Sequence, residues 1–226
     1  MINKLNNIAI IPARGGSKRL PNKNILTFNN APLIVHSINF AKANRDIIDD
    51  IYVSTNNEKI KALSLSLGVK VIDRPEALSG DYSTTVSALK HVLETINETV
   101  DNVVLLQPTN PLRQNELLKE AYAKYLSGNF DSLMTVSANK YKLGKIDNDS
   151  FIPFNYKMGQ RSQDMKPLYF ENGLLYITKA ELILDNTILG SKNCPHIVNH
   201  PFASVDIDTE EDLKYAQFVL DNYLNE

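Results

Sequence analysis

The apolar residues of this chain alternate between two rhythms. Ile8-Ala9-Ile10-Ile11 is a short unbroken apolar run, the pattern of a strand covered on both faces. Beyond a polar stretch, Leu33, Ile34, Ile38 and Ala41 recur at helical spacing behind Pro32, whose fixed φ suits a first helical residue. Ile51-Tyr52-Val53 predicts a second strand, Glu58 to Leu67 a helix that Gly68 stops, and Val69 to Ile72 a third strand. Ser83 or Thr84 is placed to cap a helix carrying Val86, Leu89, Leu93 and Ile96. Val103 to Leu106 predicts a fourth strand. Leu118, Ala121, Tyr122 and Tyr125 predict a helix followed by Gly128, and Ser132 to Val136 a fifth strand. Strands alternating with helices predict an α/β fold, with right-handed crossovers on a mostly parallel sheet.

The rhythm is lost between Asn139 and Pro167. This stretch is polar, carries Gly144, Pro153, Gly159 and the run Asp147-Asn148-Asp149, and predicts an irregular or hairpin-containing insertion. It is too long for an ordinary connection. It also holds Tyr141, Phe151, Phe154, Tyr156 and Met158, an apolar set that a soluble monomer tends not to leave exposed. Leu174 to Ile177 resumes a strand. Thr209 and Asp212 resemble a capping box opening a last helix, with Leu213, Ala216 and Leu220 on one side. No repeat, low-complexity tract or linker appears. The expectation is one domain over residues 1–226, with 139–167 as its insertion.

Charge narrows the choice of partners. The 24 basic and 26 acidic side chains nearly balance, which argues against a nonspecific nucleic-acid binder. The single cysteine, Cys194, lies in a loop-like stretch and can form no intramolecular disulfide, as fits a reducing compartment. No apolar run approaches the ~20 residues of a membrane span. The stretch Ile8 to Ala13 contains Pro12 and runs into Arg14, unlike a secretory signal. A cytoplasmic protein with no membrane partner is expected.

The chemistry concentrates after the first strand. Ala13-Arg14-Gly15-Gly16-Ser17-Lys18-Arg19-Leu20-Pro21-Asn22-Lys23-Asn24 sets two glycines among four cations. Ligands of such sheets bind beyond the carboxyl ends of the strands. Glycines there let backbone N–H groups approach an anion, so the loop reads as phosphate-binding. It is neither the Walker pattern nor the Gly-x-Gly-x-x-Gly pattern. Asp206 and Asp208 flank Ile207. In a strand they would share one face, which suits a hard divalent cation. Gln107 ends a buried strand, where a polar side chain needs a reason. Arg113 has the alternative of an ion pair at a helix start, and Arg19 and Lys23 that of plain surface charges. His36, His91, His196 and His200 are scattered without metal or triad spacing, and nothing marks Cys194 as a nucleophile.

Read together, the loop and four further segments in the same order resemble the acylneuraminate cytidylyltransferases, the CMP-sialic acid synthetases. Those segments are Arg74-Pro75 with Asp81 to Thr85, Leu105-Leu106-Gln107-Pro108-Thr109-Asn110-Pro111-Leu112-Arg113, Glu171-Asn172-Gly173 and Asp206-Ile207-Asp208-Thr209. The resemblance covers nearly the whole chain. It implies a Rossmann-like nucleotidyltransferase fold, mostly parallel, with helices on both faces of the sheet and a small dimerisation insertion. It implies transfer of CMP from CTP to the anomeric hydroxyl of a nonulosonic acid, with N-acylneuraminate first and legionaminate or pseudaminate as alternatives. Arg14 and Lys18 would hold the triphosphate, with the Gly15 and Gly16 amides lining it. Asn24 would hold the nucleotide, and Arg74, Ser83 and Thr85 would surround the cytosine. Gln107, Arg161 and Asn172 would face the sugar acid. Asp206 and Asp208 would carry Mg²⁺ or Mn²⁺, leaving Arg14, Lys18 and Asp208 as the catalytic set. The family also pairs through its insertion and completes the sugar site across the contact, so a homodimer is implied, with Arg161 near the sugar acid from its own or the neighbouring subunit.

The chain departs from many bacterial members at Arg161-Ser162-Gln163-Asp164, where a second arginine would be usual, and at Glu171-Asn172-Gly173. Both lie near the sugar or the subunit contact in the family. A 3-deoxy-octulosonate transferase and a noncatalytic nucleotide-binding module remain as rival readings. The first would not be expected to combine Gln107 to Arg113 with Arg161 to Asp164. The second would be favoured by loss of Lys18 or the Asp pair, and neither is lost.

Overall fold

Strand β1, Lys4–Pro12, lies inside the sheet, and its pattern dictates the layers around it. Ala9 and Ile11 point to one face, and Ile8 and Ile10 to the other; all four are fully buried. Such a strand is stable only if helices cover both sides. In this computed structural model, which describes residues 4–223, they do. Residues 1–3 and 224–226 of the expected domain lie outside the described residues.

After β1 come a small hairpin, β2 (Thr27–Phe28) and β3 (Ala31–Pro32), and helix α1 (Leu33–Ala43). Then follow β4 (Asp50–Thr55), α2 (Glu58–Ser66), β5 (Lys70–Asp73), α3 (Thr85–Thr95) and β6 (Thr99–Leu105). The second half holds α4 (Leu117–Leu126), β7 (Ser132–Ala138), β8 (Gly144–Asp147), β9 (Ser150–Pro153) and β10 (Tyr169–Lys179). It ends with α5 (Ala180–Leu184), β11 (Asn193–Ile197) and α6 (Glu210–Tyr223). Seven strands form one sheet in the order β11-β7-β10-β6-β1-β4-β5. Only β10 runs antiparallel to its neighbours β6 and β7. Ile34 and Ile38 of α1 and Leu118 and Ala121 of α4 pack with Ala9 and Ile11 on one face. Leu89 and Val92 of α3 and Ile183 of α5 pack with Ile8 and Ile10 on the other. Burying a side chain of this size contributes roughly 1.5–3 kcal/mol.

A third cluster sits at the edge of the site. Ala216, Val219 and Leu220 of α6 pack on Leu20, Phe28, Leu33, Leu112 and Ile207. The last helix is thereby welded to the loop after β1 and to the segment carrying Asp206 and Asp208.

Several expectations need correction. Pro32 caps α1 rather than opening its first turn, and Thr84, not Ser83, caps α3 by accepting from the Ser87 N–H. Cys194 is in no loop: it is buried in β11, paired parallel with β7 at Leu133. The strand expected at Leu174 begins at Tyr169, because polar Glu171-Asn172-Gly173 hides its first half and breaks its register. The segment 139–167 contains the β8–β9 hairpin, turned at Asn148 and Asp149, both at positive φ. Tyr141, Ile146, Phe151, Phe154 and Met158 on it are exposed. Among the described residues no helix is long and apolar enough to cross a membrane.

The capping box is present. Asp212 Oδ2 accepts from the Thr209 N–H at 2.8 Å and the Asp208 N–H at 3.0 Å, while the Asp212 N–H donates to Thr209 Oγ1 at 3.2 Å. Partial burial pushes the Asp212 carboxyl up, but these donors outweigh it and hold it below the usual range. A depressed carboxyl adds stability above its unfolded pKa and loses it as pH falls through the folded one. Asp212→Ala is therefore expected to cost about 1 kcal/mol at pH 7, lowering Tm by about 2–4 °C. The gap to the parent should close below about pH 4. Equal melting curves at pH 7 would show that the box contributes nothing.

Candidate active site

Strand order reverses at β1, because β4 follows it on one side and β6 lies on the other. The crevice beyond the strand ends at such a reversal is where open α/β sheets bind ligands. A cleft of about 420 Å³ opens there. It gathers Arg14, Lys18 and Asn24 from the loop after β1, Arg74 after β5, and Ser83 and Thr85 at the head of α3. Gln107 after β6 and Asp208 before α6 complete it.

The loop after β1 is held by its own polar groups. Ala13 N–H donates to the Ser54 carbonyl at 2.9 Å, the last rung before the chain turns away. Asn24, nearly buried, donates to the Arg14 carbonyl at 3.0 Å and folds the loop back. Gly15 departs from its expected role. Its N–H already donates to Asn56 Oδ1 at 2.9 Å, and a Cβ there would lie 2.8 Å from Asn57 Nδ2. Glycine is required by that close approach. Gly16 has open space around it.

The cations of the loop are compensated from outside it. Arg14 donates to the Gly80 carbonyl at 2.8 Å and to Asp81 Oδ1 at 3.3 Å, and Lys18 ion-pairs with Asp81. Hydrogen bonding to Lys18 is the main cause that holds the Asp81 carboxyl below its usual range. Arg74 is buried, donating to Ser54 Oγ at 3.0 Å and the Ser54 carbonyl at 2.7 Å. Burial, and then the neighbouring Arg14 charge, push its pKa down to about 10. Cations crowded at a strand end form a site for an anion.

Asp206 and Asp208 do not lie in a strand; residues 205–209 are irregular. Asp208 lines the cleft and Asp206 does not; Ile207 between them is fully buried beneath α6. The Ile207 N–H donates to the Thr109 carbonyl at 2.8 Å, tying the segment to the turn after β6. Burial and then the nearby Asp208 charge push the Asp206 carboxyl up, against a hydrogen bond from Thr109. Arg19 and Lys23, with plain surface charge as their alternative, both ion-pair with Asp208. Among the described residues no three acidic, His or Cys side chains gather as a metal cage. Two neighbouring carboxylates are nonetheless the donor set Mg²⁺ takes with phosphates, and the Asp208 charge reaches Asp206.

A smaller pocket of about 300 Å³ adjoins the cleft and shares Thr85 and Gln107 with it. Its other walls are Leu105, Glu171, Tyr176, Ile188 and Leu189. The Tyr176 hydroxyl donates to Glu171 Oε2 at 2.8 Å. Burial, and then that carboxylate, push the Tyr176 hydroxyl pKa up. Glu171 stood in a recognised motif without a role; nothing in the sequence marked Ile188 or Leu189.

One residue expected at the sugar is elsewhere. Asn172 is buried in the sheet, accepting from Thr135 Oγ1 at 2.6 Å and donating to Ser137 Oγ at 3.0 Å, so its amide is occupied. Arg161 is exposed on the insertion, paired with Asp164 at 2.7 Å, and does not line the cleft of its own chain. Arg113 makes no ion pair at the start of α4. It is buried and donates to the Leu174 and Gln107 carbonyls.

Comparison with known proteins agrees with this geometry. A family model described as cytidylyltransferase matches residues 8–223. A pseudaminic acid cytidylyltransferase of Campylobacter jejuni (serotype O:23/36) is 32% identical, over 95% of this chain and 96% of that protein. An N-acylneuraminate cytidylyltransferase of Streptococcus agalactiae serotype III is 35% identical, over 91% of this chain but 51% of that protein. A CMP-N,N'-diacetyllegionaminic acid synthase of Legionella pneumophila is 31% identical, over 91% of this chain and 92% of that one. Among solved structures, a CMP:2-keto-3-deoxy-manno-octonic acid synthetase complexed with CTP superposes with TM-score 0.69. It covers 96% of this chain and 99% of that one, and at 15% identity it shows the shared fold.

The raised carboxyl of Asp206 makes a test. A carboxyl whose folded pKa lies above its unfolded value costs stability when it is charged at pH 7. Asp206→Asn is expected to raise the Tm of the ligand-free protein by about 1–2 °C, since the site is open and screened. It should also weaken Mn²⁺ binding read by paramagnetic relaxation in the presence of CTP. A lower Tm would show that the two carboxylates do not repel.

Proposed function

This chain belongs to the cytidylyltransferase family, and from that premise we propose that it transfers CMP from CTP to the anomeric hydroxyl of a nonulosonic acid. The single observation that carries the reading is the cleft at the strand reversal, where Arg14 and Lys18 meet Arg74 and Asp208, with Asp206 near enough to Asp208 to feel its charge. The anomeric oxygen forms a bond to the α-phosphorus as the bond to the β-phosphate oxygen breaks. Pyrophosphate leaves with that electron pair, and the hydroxyl proton is lost. Such a transfer needs chiefly position and charge neutralisation. Arg14 and Lys18 supply the charge by exchanging Asp81 for the triphosphate. Arg74, Ser83 and Thr85 offer donors and hydroxyls to a cytosine edge. Asn24 keeps the loop in shape.

Asp206 and Asp208 would hold Mg²⁺ or Mn²⁺, which supplies charge neutralisation and lowers the pKa of a bound hydroxyl. Asp208 then releases Arg19 and Lys23 toward the phosphates. A cytoplasmic location, where CTP is available, is part of this proposal.

Gln107 joins the two pockets, so the sugar acid is assigned to the smaller one. Glu171 is a hydroxyl acceptor at its wall, which favours N-acylneuraminate with its terminal hydroxyl. Ile188 and Leu189 carry a second reading: they suit an acid ending in a methyl group, as pseudaminate and legionaminate do. The exposed apolar face of the insertion supports a homodimer, the commonest closed assembly.

Two measurements check these readings. Pyrophosphate release from CTP should require one member of a panel of nonulosonic acids, vanish in a chelator and return with Mg²⁺. Lys18→Ala should lower turnover by at least about 100-fold with an unchanged Tm, as loss of a charge contact worth ~3–4 kcal/mol in the transition state. Release without any acceptor, or full activity in the chelator, would overturn the assignment. Light scattering at micromolar concentration should give about twice 25.4 kDa. A fully active monomer would remove the dimer.

A further inference from the structure

Arg113 is a buried guanidinium to which no acidic side chain is paired among the described residues. Its fork closes on three elements. Nε donates to the Leu174 carbonyl of β10 at 2.7 Å, Nη1 to Ser37 Oγ of α1 at 3.1 Å, and Nη2 to the Gln107 carbonyl at 2.9 Å. Ser37 Oγ donates in turn to the same Gln107 carbonyl at 3.3 Å. One face of the guanidinium lies over the Phe40 ring, 5.5 Å from its centroid. Burial alone pushes its pKa down to about 9.

Stability does not account for such a group. A buried charge without a counter-charge is costly, and well-packed apolar side chains in such places are often neutral or stabilising. What a planar fork does, and an apolar side chain cannot, is fix several carbonyls at once. The carbonyls it fixes lie where strand pairing has stopped. Gln107 is beyond the end of β6, and Leu174 follows Gly173, at φ +75, inside the register break of β10. Gln107 Nε2 comes within 3.5 Å of the Gly173 carbonyl, so both ends of the fork converge on one side chain. That side chain is one of the two, with Thr85, shared by the cleft and the smaller pocket.

We propose that Arg113 is a positioning residue for the acceptor: it holds the backbone of Gln107 and Leu174 so that the Gln107 amide is aimed between nucleotide and sugar acid. This rests on the assignment of the smaller pocket to the sugar. Arg113→Lys keeps the charge but loses the fork. It should lower kcat/KM for the sugar acid by about 10–100-fold while the KM for CTP stays within about twofold, since displacement by 1 Å can cost about 100-fold. The deciding measurement is a double-mutant cycle with Gln107→Ala. If Arg113 acts through Gln107, Arg113→Lys should cost less than about twofold in the Gln107→Ala background.

Arg113→Met serves as the stability control, and a Tm within a few degrees of the parent is expected. Additive effects in the cycle, an equal rise in both KM values, or Arg113→Lys failing to fold would overturn the inference and leave the cytidylyltransferase reading intact. Absence of parent turnover with every nonulosonic acid would overturn both.

Discussion

The burial of β1 on both faces is the constraint on which the site depends. With Ala9 and Ile11 covered by one helical layer and Ile8 and Ile10 by the other, the strand has no freedom along its length. Its open end is where the chain turns into the loop. Because β4 and β6 flank β1 and run parallel to it, their ends open at the same level, and loops from separate parts of the chain meet there. Arg14, Arg74 and Gln107 are neighbours for that reason. The α6 cluster brings in the fourth contributor, since Ile207 is buried against the same loop that carries Lys23.

Electrostatics completes what packing begins. The loop after β1 concentrates four cations, and the protein offsets half of their charge with two carboxylates from distant segments, Asp81 and Asp208. These pairs are partly open to solvent, so they hold the loop without locking it. In the proposed reaction the triphosphate takes the place of Asp81 beside Arg14 and Lys18. Until then the two carboxylates reduce the repulsion that bare clustered cations would impose on folding.

The layers were legible because each depends on a local repeat. Alternating apolar runs and helical stripes located five of the seven sheet strands and a sixth in part, and the Gly15–Lys18 loop marked the cleft. What was hidden depended on polar residues with long-range partners. β10 starts at Tyr169, but Glu171-Asn172-Gly173 breaks its pattern. β11, with two polar residues and a proline, lacks an apolar run. Asn172 was expected at the sugar because its motif is functional, yet Thr135 and Ser137, more than thirty positions away, occupy its amide. Asp206 and Asp208 were placed on one face by assuming a strand. The segment is irregular instead, with Ile207 buried between them and only Asp208 lining the cleft. Ile188 and Leu189 follow a short helix and resemble any loop hydrophobics until the fold brings them beside Tyr176.

Beneath the smaller pocket the core is polar, and that is unusual enough to need an explanation. Asn110 donates to the Asn172 carbonyl at 3.1 Å and the Val205 carbonyl at 2.9 Å. A Cβ on Gly173 would lie 2.9 Å from Asn110 Oδ1, so glycine, already required by its positive φ, also makes room for that amide. Asn172 and Arg113 then satisfy the neighbouring groups. Each of these side chains would cost stability if left unpaired, and together they leave no alternative arrangement of the segments they join. An apolar core of the same volume would allow β10 to slide, because its ladder is interrupted there and supplies no register of its own. The polar network replaces the missing ladder. It fixes the segment that carries Glu171 at the one place in the sheet where backbone pairing cannot.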